Sequence, residues 1–293
     1  MDLAMTLPTM LPHGRAEVLA WCRAVDEGPW SSLAVPERIT YPSHSLTVQL
    51  AAAAALTERV RLWTTIVILP AHPAVQVAKD LASVDRLANG RLTVGVGVGG
   101  REHDYQAVDA SYQRRWTRMD EQVGVMRSIW RGQPPFPGAD PVGPPPVQEG
   151  GPPLVAGAMG PRSLARAARW AAGVSDASTV AGADAATLSG AVERIRAAWK
   201  DAGRTEAPHI STALWYALGT DAESRLKGYV SDYMRIFGEE VADMTAGAAT
   251  THTPERLRRA VEAAEEVGCD EMFLVPTTAD PAELERTREA LGR

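Results

Sequence analysis

Apolar and polar positions along this chain switch repeatedly between a strand period and a helix period, most clearly in its first third. Leu62–Leu69 is β-branched, apolar and free of charge, which is typical of a strand buried on both faces. After Pro73, apolar residues recur at helical spacing as far as Val84, and an Asn-Gly pair then supplies a stop signal. Leu92–Val98 begins a second strand. This order predicts a right-handed parallel βαβ unit.

The same switching continues to the end of the chain and predicts eight strands with helices between them. The predicted strands are Leu3–Leu7, Ser32–Pro36, Leu62–Leu69, Leu92–Val98, Leu154–Ala158, Gly173–Ser175, His209–Leu218 and Met272–Val275. The predicted helices include Ala16–Glu27, Leu46–Glu58, Arg114–Trp130 and a long stretch Asp221–Met244, and another begins at Pro161. Eight strands alternating with helices favour a closed (β/α)8 barrel, the TIM barrel of the α/β class, over an open sheet. We expect one domain, residues 1–293.

One proline-rich segment, residues 133–153, interrupts the alternation before the fifth strand. Nine of the 21 prolines lie between Pro134 and Pro153, and proline excludes regular helix and central strand. The segment is longer than a usual connection. Two interpretations are open: a loop that wraps around the barrel or guards its mouth, and an ordered surface crossing.

Composition and charge exclude several classes of function. The net charge is −6 and no Lys/Arg-rich run occurs, which argues against nucleic-acid binding. No apolar run approaches the roughly 20 residues that span a bilayer, and the first residues lack the pattern of a signal peptide. Two cysteines do not make a disulfide framework. We therefore expect a cytoplasmic protein that acts on a small-molecule substrate, with no membrane or nucleic-acid partner.

A glycine cluster ends the fourth predicted strand. It contains G-x-G-x-x-G, but the charged segment REHDYQAVD, predicted to be a loop, follows where a dinucleotide fingerprint needs a helix to begin at the glycines. Gly95, Gly97 and Gly99 alternate and therefore face one side of the strand. A flat ring system could lie against that side. The alternative is a tight barrel interior that requires small residues.

A second glycine-containing turn ends the fifth strand and opens a helix. Its residues are Gly157, Ala158, Met159, Gly160, Pro161 and Arg162. Backbone N–H groups at the start of a helix bind phosphate well, and an arginine adds positive charge. The sequence therefore favours an anion site here, and an ordinary βα turn is the alternative.

Candidates for acid–base chemistry follow two predicted strands. Glu37 and Arg38 come after the second strand, and His103 and Tyr105 come after the glycine cluster. We expect these residues to contact substrate or to transfer a proton; a solvated ion pair is the alternative for Glu37 and Arg38. The six histidines show no metal-ligand spacing, so no metal is expected.

Two segments resemble the luciferase-like monooxygenase family of flavin and deazaflavin enzymes. They are RVRLWTTIVILPAHPAVQVAKDLASVDRLANGRLTVGVGVGGREHDYQAV and PPLVAGAMGPRSLARAARWA. The resemblance implies a luciferase-like TIM barrel whose mouth holds the ring of the cofactor. A bulged third strand with a cis peptide at Thr65–Ile66 would lie behind the ring, and the Gly157–Arg162 turn would hold the phosphate. The ring pocket implied by the resemblance comprises Thr64, Thr65, Ile66, Gly97, Val98 and Gly99.

Two departures from the family pattern bear on the cofactor and the substrate. Deazaflavin sugar-phosphate dehydrogenases of the family carry a catalytic histidine after the second strand, where this chain has Glu37 and Arg38. Several flavin-binding luciferases carry an arginine in the glycine strand, where this chain has Val98. The first departure argues against a sugar phosphate as the substrate, and the second argues against FMN as the cofactor. The resemblance therefore implies an oxidoreductase that uses coenzyme F420 for hydride transfer to or from a small organic substrate. The alternatives are an FMN-dependent monooxygenase served by a separate flavin reductase and a non-catalytic flavin-binding relative. A homodimer is compatible with the family.

Overall fold

Eight parallel strands close into a barrel in chain order, and β1 bonds to β8. The structure is a computed structural model, and it describes residues 1–176, 180–182 and 185–293. Within them the strands are β1 (Asp2–Thr6), β2 (Ser32–Val35), β3 (Arg61–Ile68), β4 (Leu92–Gly97), β5 (Leu154–Gly157), β6 (Gly173–Asp176), β7 (His209–Tyr216) and β8 (Glu271–Pro276). The predicted TIM barrel is confirmed, and every predicted strand end lies within two residues of the observed end.

Helices cover the outside of the barrel, and short ones also lie at its rim. They are α1 (Arg15–Glu27), α2 (Leu46–Leu56), α3 (Ala74–Leu87), α4 (Glu102–Ala107), α5 (Arg115–Trp130), α6 (Pro161–Ala167), α7 (Ala185–Asp201), α8 (Ala222–Met234), α9 (Glu239–Ala248), α10 (Pro254–Glu266) and α11 (Ala282–Leu291). Two 3₁₀ turns, Leu69–Ala71 and Arg235–Phe237, follow β3 and α8. Among the described residues, no helix has the length and apolar character needed to cross a membrane.

Two sequence expectations about helices were wrong. The stretch predicted as one helix, Asp221–Met244, divides into α8, a 3₁₀ turn and α9. The break lies at Gly238, whose φ of +107° is a conformation that residues with a Cβ rarely adopt. The charged segment after the glycine cluster was interpreted as a loop, but it contains α4.

The barrel interior is closed by two large rings surrounded by small side chains. Trp63 and Phe273 meet edge to face with ring centroids 5.2 Å apart. Ala4, Ala34 and Val155 pack around them, and all five residues are buried. Because large and small residues interlock in this way, the barrel is a packed core with no channel through it. Phe273 also forms part of the floor of the cavity described below.

The proline-rich segment packs against the side of the barrel where the strands begin. Asp85 of α3 accepts hydrogen bonds from the backbone N–H groups of Val147 and Gln148, and the Gln148 side chain donates to Asp85 and to the Leu92 carbonyl. Leu92 is the first residue of β4. Of the two open interpretations, the structure therefore supports the ordered surface crossing, and no residue of 133–153 lines the cavity at the mouth.

The third strand is irregular near its carboxyl end. The pairing of β3 with β4 shifts register between Thr64 and Val67, and the peptide bond between Thr65 and Ile66 is cis. Both features match what the family resemblance implied. Thr65 and Ile66 are partly exposed at the mouth, while Thr64 is fully buried.

Candidate active site

A cavity of about 940 Å³ opens at the carboxyl ends of the strands. This is the end of a (β/α)8 barrel at which active sites occur. Its floor contains Ile66 of β3 and Phe273 of β8, and one side consists of Gly97–Gly100. The turn between β5 and α6 forms one end of the cavity, and Arg38 and residues of α8 form another part of its lining.

Ile66 occupies the space over the glycine faces. A Cβ on Gly97 would lie 2.8 Å from Ile66 Cδ1, and one on Gly157 would lie 3.3 Å from Ile66 Cγ2. A Cβ on Gly95 would lie 2.2 Å from the Thr64 carbonyl oxygen. The glycines at 95 and 97 are therefore small because neighbouring strand β3 packs against them. Of the two interpretations of the glycine cluster, these contacts support a tight barrel interior that requires small residues. The face of a flat ring bound in the cavity would therefore contact Ile66 and not the glycines.

The turn into α6 offers donors and positive charge to the cavity. Ser163 accepts a 3.1 Å hydrogen bond from the Gly160 N–H, so that N–H is already satisfied. The N–H groups of Arg162 and Ser163 belong to the first turn of the helix, where no intrahelical acceptor is available. Arg162 is exposed and Arg166 is ion-paired with Asp120, and both arginines line the cavity. The turn can hold a phosphate group through these donors.

Arg38 lies in the wall formed by the segment after β2. Its guanidinium stacks over the ring of Tyr233 with 4.3 Å between Cζ and the ring centroid. Burial, followed by the nearby charge of Arg101, lowers the pKa of Arg38 to about 10. Because that value is still well above neutrality, the side chain stays positively charged and presents a cation to the cavity.

Asp104 is the carboxylate whose charge acts on Arg38. One carboxylate oxygen of Asp104 accepts hydrogen bonds from the Thr40 N–H and Oγ1 at 2.7 and 2.6 Å. Its other oxygen lies 4.0 Å from Nε of Arg101. Asp104 is buried and is not part of the cavity lining. It therefore balances Arg101 and fixes the loop that carries Thr40.

Of the four expected acid–base residues, Arg38 alone lines the cavity. The Glu37 carboxylate is turned away and bonds to Ile68 N and to His72, and His103 is exposed on α4. Tyr105 is buried, its hydroxyl donates to the Val98 carbonyl at 2.5 Å, and burial raises its pKa. Glu37, His103 and Tyr105 are therefore not among the described residues that line the cavity.

The expected cofactor residues are brought together almost completely. All of them except Thr64 line the cavity: Thr65, Ile66, Gly97, Val98, Gly99, Gly157, Ala158, Met159, Gly160, Pro161 and Arg162. Thr64 is fully buried, and its hydroxyl donates to the Gly95 carbonyl at 2.7 Å. It therefore joins β3 to β4 beneath the cavity.

An aromatic wall is the part of the site that sequence reasoning missed. Tyr229 and Tyr233 of α8 and Trp215 of β7 line the cavity, and the rings of Trp215 and Tyr233 are 5.0 Å apart. Although α8 follows β7, its Tyr233 reaches Arg38 after β2, and Phe237 lies beside Gly100 after β4. The segment therefore crosses the mouth. The spacing of the two tyrosines by one helical turn was the available signal.

The lining has an unusual chemical make-up. Its described residues include no Asp, Glu, His, Lys or Cys; the ionisable groups are three arginines and two tyrosines. Burial raises the pKa of Tyr229, so its hydroxyl can donate a hydrogen bond but is a poor base. No cluster of three potential metal ligands occurs among the residues that the structure describes. The walls can bind and orient an organic molecule, but their described residues supply no carboxylate, imidazole, amine or thiol.

Comparison with known proteins gives one family. Residues 5–244 match the sequence model of the family described as luciferase-like monooxygenase. An uncharacterized protein of Mycobacterium tuberculosis (strain ATCC 25618 / H37Rv) is 36% identical over 83 residues, which are 28% of this chain and 29% of that protein. Pyrimidine monooxygenase RutA of Pantoea ananatis is 34% identical over 86 residues, 28% of this chain and 23% of the relative. Each of these matches therefore spans less than a third of the curated relative.

Solved structures share the fold over nearly the whole chain. Monooxygenase RslO1 from Streptomyces bottropensis has a TM-score of 0.79 at 23% identity, covering 99% of this chain and 97% of its own. An F420-dependent secondary alcohol dehydrogenase, in complex with an F420–acetone adduct, has a TM-score of 0.81 at 19% identity, with 99% and 98% covered. A type II Baeyer–Villiger monooxygenase encoded on the CAM plasmid of Pseudomonas putida, in complex with FMN, has a TM-score of 0.75 at 15% identity, with 100% and 97% covered. At sequence identities of 15–23%, this structural similarity establishes the barrel fold.

Proposed function

Because the chain belongs to the luciferase-like monooxygenase family, we propose that it is an oxidoreductase that uses coenzyme F420 to transfer a hydride to or from a small organic substrate. The observation that carries this proposal is the lining of the cavity, whose described residues offer no carboxylate, imidazole, amine or thiol. When bound, the deazaflavin supplies the hydride donor or acceptor that such a lining lacks. The protein then contributes binding, orientation and exclusion of water.

The residues of the cavity fit a tricyclic ring with an anionic tail. Thr65 and Ile66 would support one face of the ring, and Gly97–Gly99 would lie along its edge. The tail phosphate would bind the N–H groups of Arg162 and Ser163 and the Arg162 guanidinium. Gly157, Ala158, Met159, Gly160 and Pro161 form the turn that aims these donors into the cavity.

Val98 favours the deazaflavin over FMN. Its side chain lines the cavity at the position where several flavin-binding luciferases carry an arginine. The likeness to an F420-dependent secondary alcohol dehydrogenase over 99% of the chain is compatible with this choice. Aromatic side chains of α8 would shield the reacting centre from water, and Tyr229, which stays protonated, would donate a hydrogen bond to a substrate oxygen.

A second candidate is an FMN-dependent monooxygenase that receives reduced flavin from a separate reductase. Similarity to the pyrimidine monooxygenase RutA, 34% over 86 residues, favours this alternative. The two candidates differ in one measurable respect, because hydride transfer by F420 needs no oxygen and a monooxygenase consumes it with each product.

The test begins with parallel titrations of the purified protein with F420 and FMN. We expect F420 to bind more tightly, and its reduced form to turn over an enone or ketone panel at the same rate with and without oxygen. Preference for FMN with oxygen uptake equal to product formation would replace the proposal by the second candidate. Tight cofactor binding without any redox cycling would indicate a non-catalytic relative, and binding of neither cofactor would contradict the proposal.

A further inference from the structure

Arg38 is a half-buried cation in the wall of the cavity, and it forms no ion pair with a residue that the structure describes. Its guanidinium lines the cavity and makes no hydrogen bond or ion pair with any residue that the structure describes. Its Nε is inaccessible to solvent and has no acceptor. The ring of Tyr233, 4.3 Å away, is a close contact, but a ring face accepts no directed hydrogen bond from the fork.

Neighbouring charges compensate this cation only in part. Arg101 carries the same charge, and the single nearby carboxylate, Asp104, bonds to Thr40 through one oxygen and lies 4.0 Å from Nε of Arg101 through the other. Two guanidinium groups and one carboxylate therefore leave one positive charge, and of the three Arg38 alone lines the cavity. A guanidinium that is partly removed from water and lacks an acceptor at Nε loses hydration there, and an anion placed opposite its planar fork restores the lost hydrogen bond.

We propose that the organic substrate carries a carboxylate, that Arg38 binds this group, and that the apolar body of the substrate packs against Trp215 and Tyr233. Both rings line the cavity close to the guanidinium, so a carboxylic acid with an aromatic or alicyclic body satisfies both the charge and the apolar wall. This inference rests on the proposed function in one respect, namely that the substrate binds in this cavity. The phosphate anchor at Arg162 belongs to the α6 turn and is a separate group.

The test uses matched acid and amide probes on the protein without cofactor. The dissociation constants of 3-phenylpropionate and cyclohexanecarboxylate are compared with those of their primary amides by calorimetry. We expect the wild type to bind each acid at least about tenfold more tightly than its amide, since a charge-assisted hydrogen bond is replaced by a neutral one. Absence of an acid preference in the wild type overturns the proposal.

Variants assign the preference to one residue. Arg38→Met and Arg38→Gln are expected to bind acid and amide equally, and far-ultraviolet circular dichroism of both variants reports folding. Arg162→Met is the matched control, because it removes the same charge from the α6 side of the cavity and is expected to keep the preference. Loss of the preference in Arg162→Met with retention in both Arg38 variants overturns the proposal.

A final experiment tests whether the anion that Arg38 binds belongs to the substrate or to the cofactor. F420 and FMN are titrated into Arg38→Met, and we expect dissociation constants within about twofold of the wild type because neither cofactor uses Arg38. A loss of cofactor affinity of tenfold or more would show that Arg38 binds the cofactor, which overturns the proposal. If neither cofactor binds the wild type while the acid preference persists, the proposed function fails and the assignment of Arg38 stands.

Discussion

Glu37 and His72 join the end of β2 to the turn after β3. Nε2 of His72 lies 2.9 Å from Oε1 of Glu37, and the other carboxylate oxygen accepts a 2.6 Å hydrogen bond from the Ile68 N–H. Ile68 is the last residue of β3, two positions after the cis peptide at Thr65–Ile66. Through these two contacts, Glu37 fixes the end of β3 beside the cavity.

This pair predicts a pH-dependent stability. Burial by itself lowers the pKa of His72, but the hydrogen bond and charge of Glu37 more than offset it, and the pKa lies above its ordinary value. The pair therefore stabilises the fold fully below the unfolded-state pKa of about 6.5, and this contribution is lost as the pH rises through the higher folded-state pKa. We expect the free energy of unfolding of the wild type to exceed that of His72→Asn. This difference should be largest at about pH 6 and should become smaller at higher pH.

Urea unfolding of wild type and His72→Asn at a series of pH values measures this gap. His103→Asn is the matched control, because His103 is exposed on α4 and does not contact Glu37. The control is expected to follow the wild-type curve at every pH. If the difference in free energy of unfolding between wild type and His72→Asn stays constant with pH, Glu37 does not stabilise the charged form of the imidazole.

The α6 turn predicts a phosphate-specific effect of Arg162. Arg162→Gln is expected to weaken FMN binding by about tenfold or more, since a charge-assisted contact to phosphate is lost. Riboflavin, which has the ring but no phosphate, is expected to bind wild type and variant equally. Arg169→Gln changes the net charge identically at an exposed residue that does not line the cavity, so it should leave FMN affinity unchanged. Equal losses for FMN and riboflavin would contradict a phosphate role.

The packing of Ile66 over β4 predicts a size limit at Gly97. A Cβ there would lie 2.8 Å from Ile66 Cδ1, so Gly97→Ala should push Ile66 into the cavity, cost about 1–3 kcal/mol in free energy of unfolding and weaken cofactor binding. Gly157→Ala is the matched substitution with a closest contact of 3.3 Å, and it should cost less. Chemical denaturation measures both.

A double-mutant cycle identifies the clash. In an Ile66→Ala background the methyl group at position 97 no longer meets Cδ1, so the cost of Gly97→Ala should largely disappear. Undiminished cost in that background would place the clash elsewhere.

The partly compensated charge of Arg38 predicts that its removal does not destabilise the fold. Arg38→Met keeps an apolar chain of similar length and deletes a half-buried cation whose Nε has no acceptor, so the free energy of unfolding should stay equal or rise by up to about 1 kcal/mol. Thermal and urea unfolding without ligand measure it. A decrease of more than about 1 kcal/mol would mean that the stacking on Tyr233 outweighs the desolvation of the charge.

The barrel could be predicted from the sequence because parallel strands buried on both faces leave a local signature. An apolar run such as Leu62–Leu69, which ends at Pro70, indicates a strand without knowledge of its neighbours. The α6 turn was found for a similar reason, since its glycines and Pro161 mark a strand-to-helix turn. Arg38 was found by its position after a strand.

The remaining features depend on contacts between distant segments. Glu37 and Arg38 are adjacent, but only the structure shows that one faces the cavity and the other binds Ile68 and His72. The alternation of the glycines was recognised, but the side chain that covers them comes from a bulge in the neighbouring strand. The tyrosines of α8 were missed because nothing local indicates that a helix after β7 crosses to the end of β2.

The attachment of the proline-rich segment at the opposite end from the mouth has a practical consequence. Phe136 is 65% exposed and Gly138 has open space around its Cβ position, while Asp85 secures the later part of the segment. A short affinity peptide spliced near Gly138 would tether the molecule to a solid support by its base. The entrance would then point away from the support, leaving diffusion of cofactor and substrate unobstructed.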